Sequence, residues 1–365
     1  MIKRSEGMQR EKKYKVIGLM SGTSLDGLDI CYVVFQKKNK TWNYTIRHAQ
    51  TIKYNTHLKK KLSKAVTLSA IELLQLDVQY GNYLGDQVNL FLRRHAIKHV
   101  DLIASHGHTV FHQPDKGISL QIGNGFHLMQ KTKTRLINNF RSEDVAKGGQ
   151  GAPLVPIGDA LLFNEYAACL NLGGIANISF TEKKKRKAFD ICFFNMGLNY
   201  LAAKLGKEYD KAGKMAAAGK LNKPLYNDLK RRYAQLKNFP ALGFEIFEEK
   251  FLPLLSNSNI SLQDRMHTCA ILSAEMISRI IKERVSKGNI LCTGGGTYNH
   301  YIMQLIAASI KSNQNLHIPQ AQIIEYKEAL IFAFLGLLRL RNEINCLSSV
   351  TGASADSSAG ILYEP

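Results

Sequence analysis

Three glycine-rich turns, a histidine cluster and two carboxylates are the parts of this 365-residue chain that could do chemistry. The first turn is Gly18-Leu19-Met20-Ser21-Gly22-Thr23-Ser24-Leu25-Asp26-Gly27-Leu28-Asp29. An apolar, β-prone run enters it and another leaves it. Glycines let backbone N–H groups come close to an anion, and Ser and Thr add donors. An aspartate beside phosphate is unfavourable unless it holds Mg²⁺, usually through water. That makes Asp26 the candidate metal residue. The Gly-Lys-Ser/Thr of a Walker A loop is missing, as is the helix that should follow. An ordinary hairpin turn explains the same residues and stays open.

The second turn is Asn171-Leu172-Gly173-Gly174-Ile175-Ala176-Asn177, and the third Thr293-Gly294-Gly295-Gly296-Thr297-Tyr298-Asn299. Two glycine hairpins on opposite walls of a cleft could clamp a polyphosphate. The third run suits a flat ring or a ribose, or is merely a tight strand-to-helix turn. Ser105-His106-Gly107-His108-Thr109-Val110-Phe111-His112-Gln113-Pro114 holds three histidines, but no Cys or Glu is placed to complete a metal site. His106 and Thr109 read better as hydrogen-bonding partners of a sugar or carbonyl. Arg141 is the natural partner of a phosphate or carboxylate, the alternative being a surface pair with Asp144. Asp190 is expected at a strand end facing the cleft, a position suited to a general base; a helix N-cap is the other explanation. Glu328 is expected at the start of the last apolar helix, where a first-turn charge favouring the helix dipole would also account for it.

The elements that must position these residues form two similar halves. Residues 14–20, 28–35 and 42–49 read as three antiparallel strands, and 69–94 as a helix with Ile71, Leu74, Val78, Leu84, Val88 and Phe91 on its apolar face. A strand over 100–105 then ends in His106-Gly107-His108. The second half repeats the order: strand 168–172, glycine turn, strand 175–180, a basic tip at 183–187, strand 188–192, a helical region over 195–286, strand 289–293, glycine turn and helix 299–312. This predicts an α/β protein of two similar lobes around a central cleft. The lobes are expected at 1–165, joined by about 345–365, and at 166–344.

Composition agrees with two ordinary globular cores. Hydrophobic residues make up 45% and charged residues 21%, which excludes a disordered chain, a collagen-like repeat and a coiled coil. The net charge of +20 raises the prospect of an anionic partner. It is spread along the chain without a nucleic-acid motif, so a solvated Lys-rich surface or an enzyme for anionic substrates fits better. The six cysteines form no C-x-x-C pair, which predicts reduced thiols and a cytoplasmic protein. The charged N-terminus has no apolar segment of a signal peptide, and the longest apolar run, 329–338, is too short to span a bilayer.

Taken in order, the runs 17–29, 105–114, Gln121-Ile122-Gly123, Phe140-Arg141, Asp144, 148–156, 171–179, 294–296 with Asn299, Glu328-Ala329 with Phe332-Ala333, and 349–353 resemble the anhydro-N-acetylmuramic acid kinase family. The resemblance covers nearly the whole chain. It implies two ribonuclease-H-like lobes of the actin-like ATPase type. It also implies an ATP- and Mg²⁺-dependent kinase that takes 1,6-anhydro-N-acetylmuramic acid and water to N-acetylmuramic acid 6-phosphate in cell-wall recycling. ATP binding carries over to Gly22, Thr23, Ser24, Leu25, Asp26, Gly27, Leu28 and Asp29, with Gly173, Gly174, Gly294, Gly295 and Gly296 as further nucleotide contacts. The base carries over to Asp190, with Glu328 in support. Sugar contacts are expected at His106, Thr109, Gln121 and Arg141. No nucleic-acid or membrane partner is implied, and a homodimer stays open. A related kinase acting on a free sugar hydroxyl, or a catalytically weakened ATP-binding relative, are the alternatives.

The chain departs from the family pattern in places. Asp190-Ile191-Cys192-Phe193-Phe194-Asn195 lacks the usual glycine–proline loop. Asn124 and Asn139 stand where aspartates are usual, and Pro240-Ala241-Leu242-Gly243 stands where a Pro-Lys-Ser-like segment is usual.

Overall fold

In the computed structural model, residues 12–22, 25–236 and 242–365 are described. The N-terminal expectation and the candidates Thr23 and Ser24 lie outside them. The chain divides into two compact units, 1–162 with 328–365, and 163–327.

In the first unit, β1 (Lys13–Ser21), β2 (Leu28–Lys38) and β3 (Thr41–Ile52) form an antiparallel meander. β4 (Leu102–Gln113) returns parallel to β1, pairing Ile17 with Ile103. A parallel return needs a long crossover, which the helix Ala70–Arg94 supplies. β5 (Ile118–Ile122) folds back on the far end of β4, β6 (Leu136–Asn138) runs parallel to β4, and β12 (Ile361–Tyr363) closes the edge on β6. The path is β12-β6-β4-β1-β2-β3.

The second unit repeats this plan. β7 (Ala168–Leu172), β8 (Ile175–Glu182) and β9 (Lys185–Phe193) are the meander. The helix Leu262–Arg284 leads back to β10 (Gly288–Thr293), parallel to β7, and the helix His300–Ser309 leads to β11 (Gln314–His317), parallel to β10. The order β11-β10-β7-β8-β9 has the same directions as β6-β4-β1-β2-β3. Three antiparallel strands followed by two parallel ones is the ribonuclease-H-like plan that the resemblance implies.

Several local expectations change. β4 does not end before the histidines but carries them within it, as far as Gln113. The basic tip shrinks to a turn at Lys183-Lys184, and Lys185–Phe193 is already strand. The helix Ala70–Arg94 starts on a capping box, in which Ser69 and Glu72 satisfy each other's backbone N–H groups. Its buried stripe is Leu76, Tyr80, Leu84, Val88 and Phe91, while Ile71 and Leu74 are exposed. The neighbouring helix Gly125–Thr132 sets that face: a Cβ on Gly81 would sit 2.6 Å from the Asn124 carbonyl oxygen.

The helix Ala321–Leu340 contains the apolar run, and Ala329, Leu330, Ile331, Phe332, Ala333, Phe334 and Leu335 are all buried in the first unit. Among the described residues, no helix is long and apolar enough to cross a membrane. The helix lies directly on β1, because a Cβ on Gly18 would overlap the Ala329 carbonyl oxygen and meet the Ala333 Cβ at 2.9 Å. Backbone cannot retreat as a flexible side chain can. Gly18→Ala is therefore expected to cost about 1–3 kcal/mol of stability through overpacking, read as a lower thermal unfolding midpoint.

Candidate active site

β1 delivers the first turn. Its last residue, Ser21, is buried, and its hydroxyl lies 3.1 Å from His108 Nδ1 on the paired strand β4. Leu25 has φ of +58° and donates its N–H to the Gly22 carbonyl, which tightens the hairpin. Asp26 is exposed at the turn. Asp29 is already on β2, where its Oδ1 accepts the Thr51 hydroxyl at 2.6 Å. The Leu28 side chain is 1% exposed and belongs to the hydrophobic core, which leaves its backbone for the expected nucleotide contact.

The histidine cluster and Arg141 come together in the same unit. Arg141 is half-buried, and its Nε and Nη2 lie 3.2 and 2.8 Å from His106 Nε2. His106 Nδ1 lies 2.9 Å from the Gly107 carbonyl and so donates there, leaving Nε2 as the acceptor. Burial, then the Arg141 charge, hold His106 well below the usual imidazole range, so the ring is neutral. Burial likewise lowers His108 to about 4. The lone pair of His106 Nε2 is thus taken by Arg141 rather than offered to a metal or a sugar. Burial lowers Arg141 to about 10, and the Glu328 charge opposes that. Glu328 is not in a first helical turn as expected, since its helix begins at Ala321. Thr109 and Gln121 face each other across β4 and β5, and the buried Gln121 Oε1 lacks a hydrogen-bond partner among the described residues.

Asp144 is not a surface partner of Arg141. It is fully buried, its Oδ2 accepts the Gly151 N–H at 2.8 Å, and its Oδ1 accepts the Thr351 hydroxyl at 2.7 Å and the Cys346 thiol at 3.1 Å. Arg141 Nη1 donates to the Gly151 carbonyl at 2.6 Å. Gly151 is therefore held from both sides, and the 148–156 run is tied to the C-terminal segment.

In the second unit the two other glycine runs meet. Gly294 has φ of +85°, and a Cβ there would sit 2.8 Å from Asn171 Oδ1 and from the Leu172 carbonyl. A Cβ on Gly296 would strike the Phe194 ring and lie 2.7 Å from the Leu172 oxygen, whereas Gly295 faces open space. The Gly173 and Gly174 carbonyls accept the N–H groups of Asn195 and of Phe194 and Met196, which starts the helix Asn195–Ala203.

Asp190 lies within β9, which runs on to Phe193, so it neither ends the strand nor caps that helix. It pairs with Asn177, while Cys192 pairs with Ala176, leaving Ile191 as an extra residue. Such a bulge bends the strand and re-aims the neighbouring side chain. Ile191, Cys192, Phe193 and Phe194 are all buried, so hydrocarbon packing stands where a glycine–proline loop is usual. Asp190 Oδ2 accepts the Leu242 N–H at 2.9 Å. Burial raises the carboxyl above the ordinary aspartate range, and the Leu242 N–H pulls it partly back. A half-buried carboxylate of raised basicity, with one backbone donor to orient it, can accept a proton from water.

The segment that departs from the Pro-Lys-Ser pattern thus supplies a backbone donor, a contribution no residue type can signal. The Asn124 substitution also has a structural setting. Its Nδ2 donates to Asp77 Oδ2 at 2.9 Å, where an aspartate would oppose a second carboxylate.

Residues 14–365 match the family described as anhydro-N-acetylmuramic acid kinase. The chain belongs to that family. Curated members named anhydro-N-acetylmuramic acid kinase include one from Hydrogenovibrio crunogenus, 33% identical over 96% of this chain and 98% of its own length. Another, from Francisella tularensis subsp. novicida, is 32% identical over 94% of this chain and 97% of its own. A third, from Clostridioides difficile, is 30% identical over 92% and 95%. Family membership therefore rests on residues 14–365, both ribonuclease-H-like units included.

Proposed function

We propose that this member of the family is an ATP-dependent kinase that opens 1,6-anhydro-N-acetylmuramic acid with water and phosphorylates O6, giving N-acetylmuramic acid 6-phosphate and ADP. It works in the cytoplasm, in recycling of cell-wall fragments. The observation that carries the reading is the near full-length match to relatives of that name. The raised proton affinity of Asp190 agrees with it.

The substrate has no free 6-hydroxyl, because O6 is bonded to the anomeric carbon. Asp190 takes a proton from water, and the water oxygen forms a bond to that carbon. The C1–O6 bond breaks, and O6 uses the released electron pair to attack the γ-phosphorus, expelling ADP. Glu328 helps to orient the water. Arg141, held by His106 and the Gly151 carbonyl, offers its remaining N–H capacity to an anionic group. The first turn binds the nucleotide through backbone N–H groups.

The donor set fits Mg²⁺ brought in on phosphates. Magnesium keeps several waters and needs only one or two carboxylates, and Asp26 is exposed at the turn to serve through water. When bound, the ion neutralises charge on the phosphate oxygens.

Turnover in ¹⁸O-water tests the route. The label is expected on the anomeric hydroxyl of the product and absent from its phosphate. Label in the phosphate, or ADP release that does not depend on sugar, would overturn the reading.

A further inference from the structure

The hydroxyl of Ser21 is a link in a buried hydrogen-bond chain whose other members, apart from His108, lie outside the motifs: Tyr54 and Tyr80. Tyr54 Oη donates to Ser21 Oγ at 2.7 Å, and Tyr80 Oη lies 2.7 Å from Tyr54 Oη. Tyr80, on the helix Ala70–Arg94, is completely buried, and Tyr54 is 8% exposed. Each hydroxyl has one proton to donate. Since Tyr54 spends its proton on Ser21, Tyr80 donates to Tyr54, and Ser21 Oγ lies 3.1 Å from His108 Nδ1. His108 is neutral near pH 7, because burial lowers it to about 4, and its Nδ1 accepts the Ser21 proton when the ring carries its own on Nε2. In that tautomer the chain runs from Tyr80 through Tyr54 and Ser21 to His108.

The same segment also holds the far end of the turn. Thr51, three residues before Tyr54, donates its hydroxyl to Asp29 Oδ1 at 2.6 Å. A Cβ on Gly27 would come within 2.6 Å of the Ile52 carbonyl oxygen, so the backbone of 51–52 lies directly beneath the exit of the turn. Residues 51–54 thus grip the turn where it leaves β1 and where it enters β2. Neither Thr51 nor Tyr54 belongs to a glycine run or carries unusual chemistry of its own.

We propose that Tyr54 is a positioning residue for the nucleotide: acting through Ser21, with Thr51 acting through Asp29, it fixes the two ends of the first turn, where the chain leaves β1 and where it enters β2, for the binding of phosphate. This rests on the reading above that the turn binds ATP. A turn whose ends are fixed loses less freedom on binding a polyphosphate. Loosening it should weaken nucleotide capture more than it slows the step catalysed once both substrates are bound.

The test is Tyr54→Phe, which keeps the ring and removes the hydroxyl. Steady-state kinetics of the full chain should show KM for ATP raised about tenfold, the size of one orphaned buried hydrogen-bonding group. Saturated kcat and KM for the anhydro-sugar should stay near wild type. A purely structural role would lower kcat by removing active molecules and leave KM for ATP in place; that pattern, or an unchanged KM, overturns the proposal. Should Tyr54→Phe fail to fold, Thr51→Val decides, since it alters only the rim of the turn. A rise in KM for ATP of about threefold supports the brace, and no rise overturns it. Asp26→Ala, run alongside with direct ATP titration, separates the two ideas. If Asp26→Ala weakens Mg-nucleotide binding and Tyr54→Phe does not, the brace alone falls. If neither changes ATP binding, the turn is not the nucleotide site and both readings fall.

Discussion

Asp190→Asn is expected to keep ATP affinity near wild type while lowering sugar-dependent turnover about 10²–10⁴-fold, the range of a positioned general base. The substitution retains the size of the side chain and an oxygen to accept the Leu242 N–H, so β9 and its bulge should survive. What is lost is a site that can take a proton. The pH profile supplies an independent check. A base works only when deprotonated, and burial raises the Asp190 carboxyl above the ordinary aspartate range. The acid limb of kcat/KM is therefore expected to fall at a higher pH than a solvated aspartate would give, with activity rising as pH rises through that limb. Turnover close to wild type in the variant would remove Asp190 from the mechanism, whatever the profile showed.

Asp144→Ala should have the largest effect on stability. Its carboxylate receives the Gly151 N–H, the Thr351 hydroxyl and the Cys346 thiol in a fully buried setting. Truncation strands the Gly151 N–H and the Cys346 thiol away from water, while the Thr351 hydroxyl keeps the Leu347 carbonyl at 3.3 Å. Each orphaned buried donor costs about 1–3 kcal/mol, and a thiol counts for less than an N–H. A total loss of about 2–4 kcal/mol is expected, seen as a lower denaturation midpoint. Gly151 also supplies the carbonyl that anchors Arg141, so the kinetic symptom should be a raised KM for the sugar. Asp144→Asn keeps one acceptor oxygen but points an amide at a group that already donates, and should fall between wild type and Asp144→Ala. An unchanged midpoint for Asp144→Ala would mean the C-terminal tie is not what holds the 148–156 run.

The strand–turn–strand order of each unit was legible in the residues themselves. Alternating β-prone runs, glycine turns and long helical stretches report local propensity and patterning, and β1–β3 and β7–β9 follow from them. The short strands β5, β6, β11 and β12 left no such mark. They have three to five residues each, and their pairing is decided by the sheet they join. The face of the helix Ala70–Arg94 was also misjudged at its start, because Ile71 and Leu74 suit a stripe by period but the close approach of Asn124 selects another.

For the site, the sequence by itself determined residue types and order: the glycine turns, the histidines, Arg141, Asp190 and Glu328, and through them the family. Only the tertiary structure decided who meets whom. It committed His106 to Arg141, buried Asp144 beneath Gly151, merged the glycine runs of the second unit, and brought the Leu242 N–H to Asp190 and the Tyr54 hydroxyl to Ser21. The physical reason is that hydrogen bonding and desolvation depend on distance in space. A backbone N–H is the same at every position but proline, so neither its partner nor its burial can be read from letters far apart in the chain.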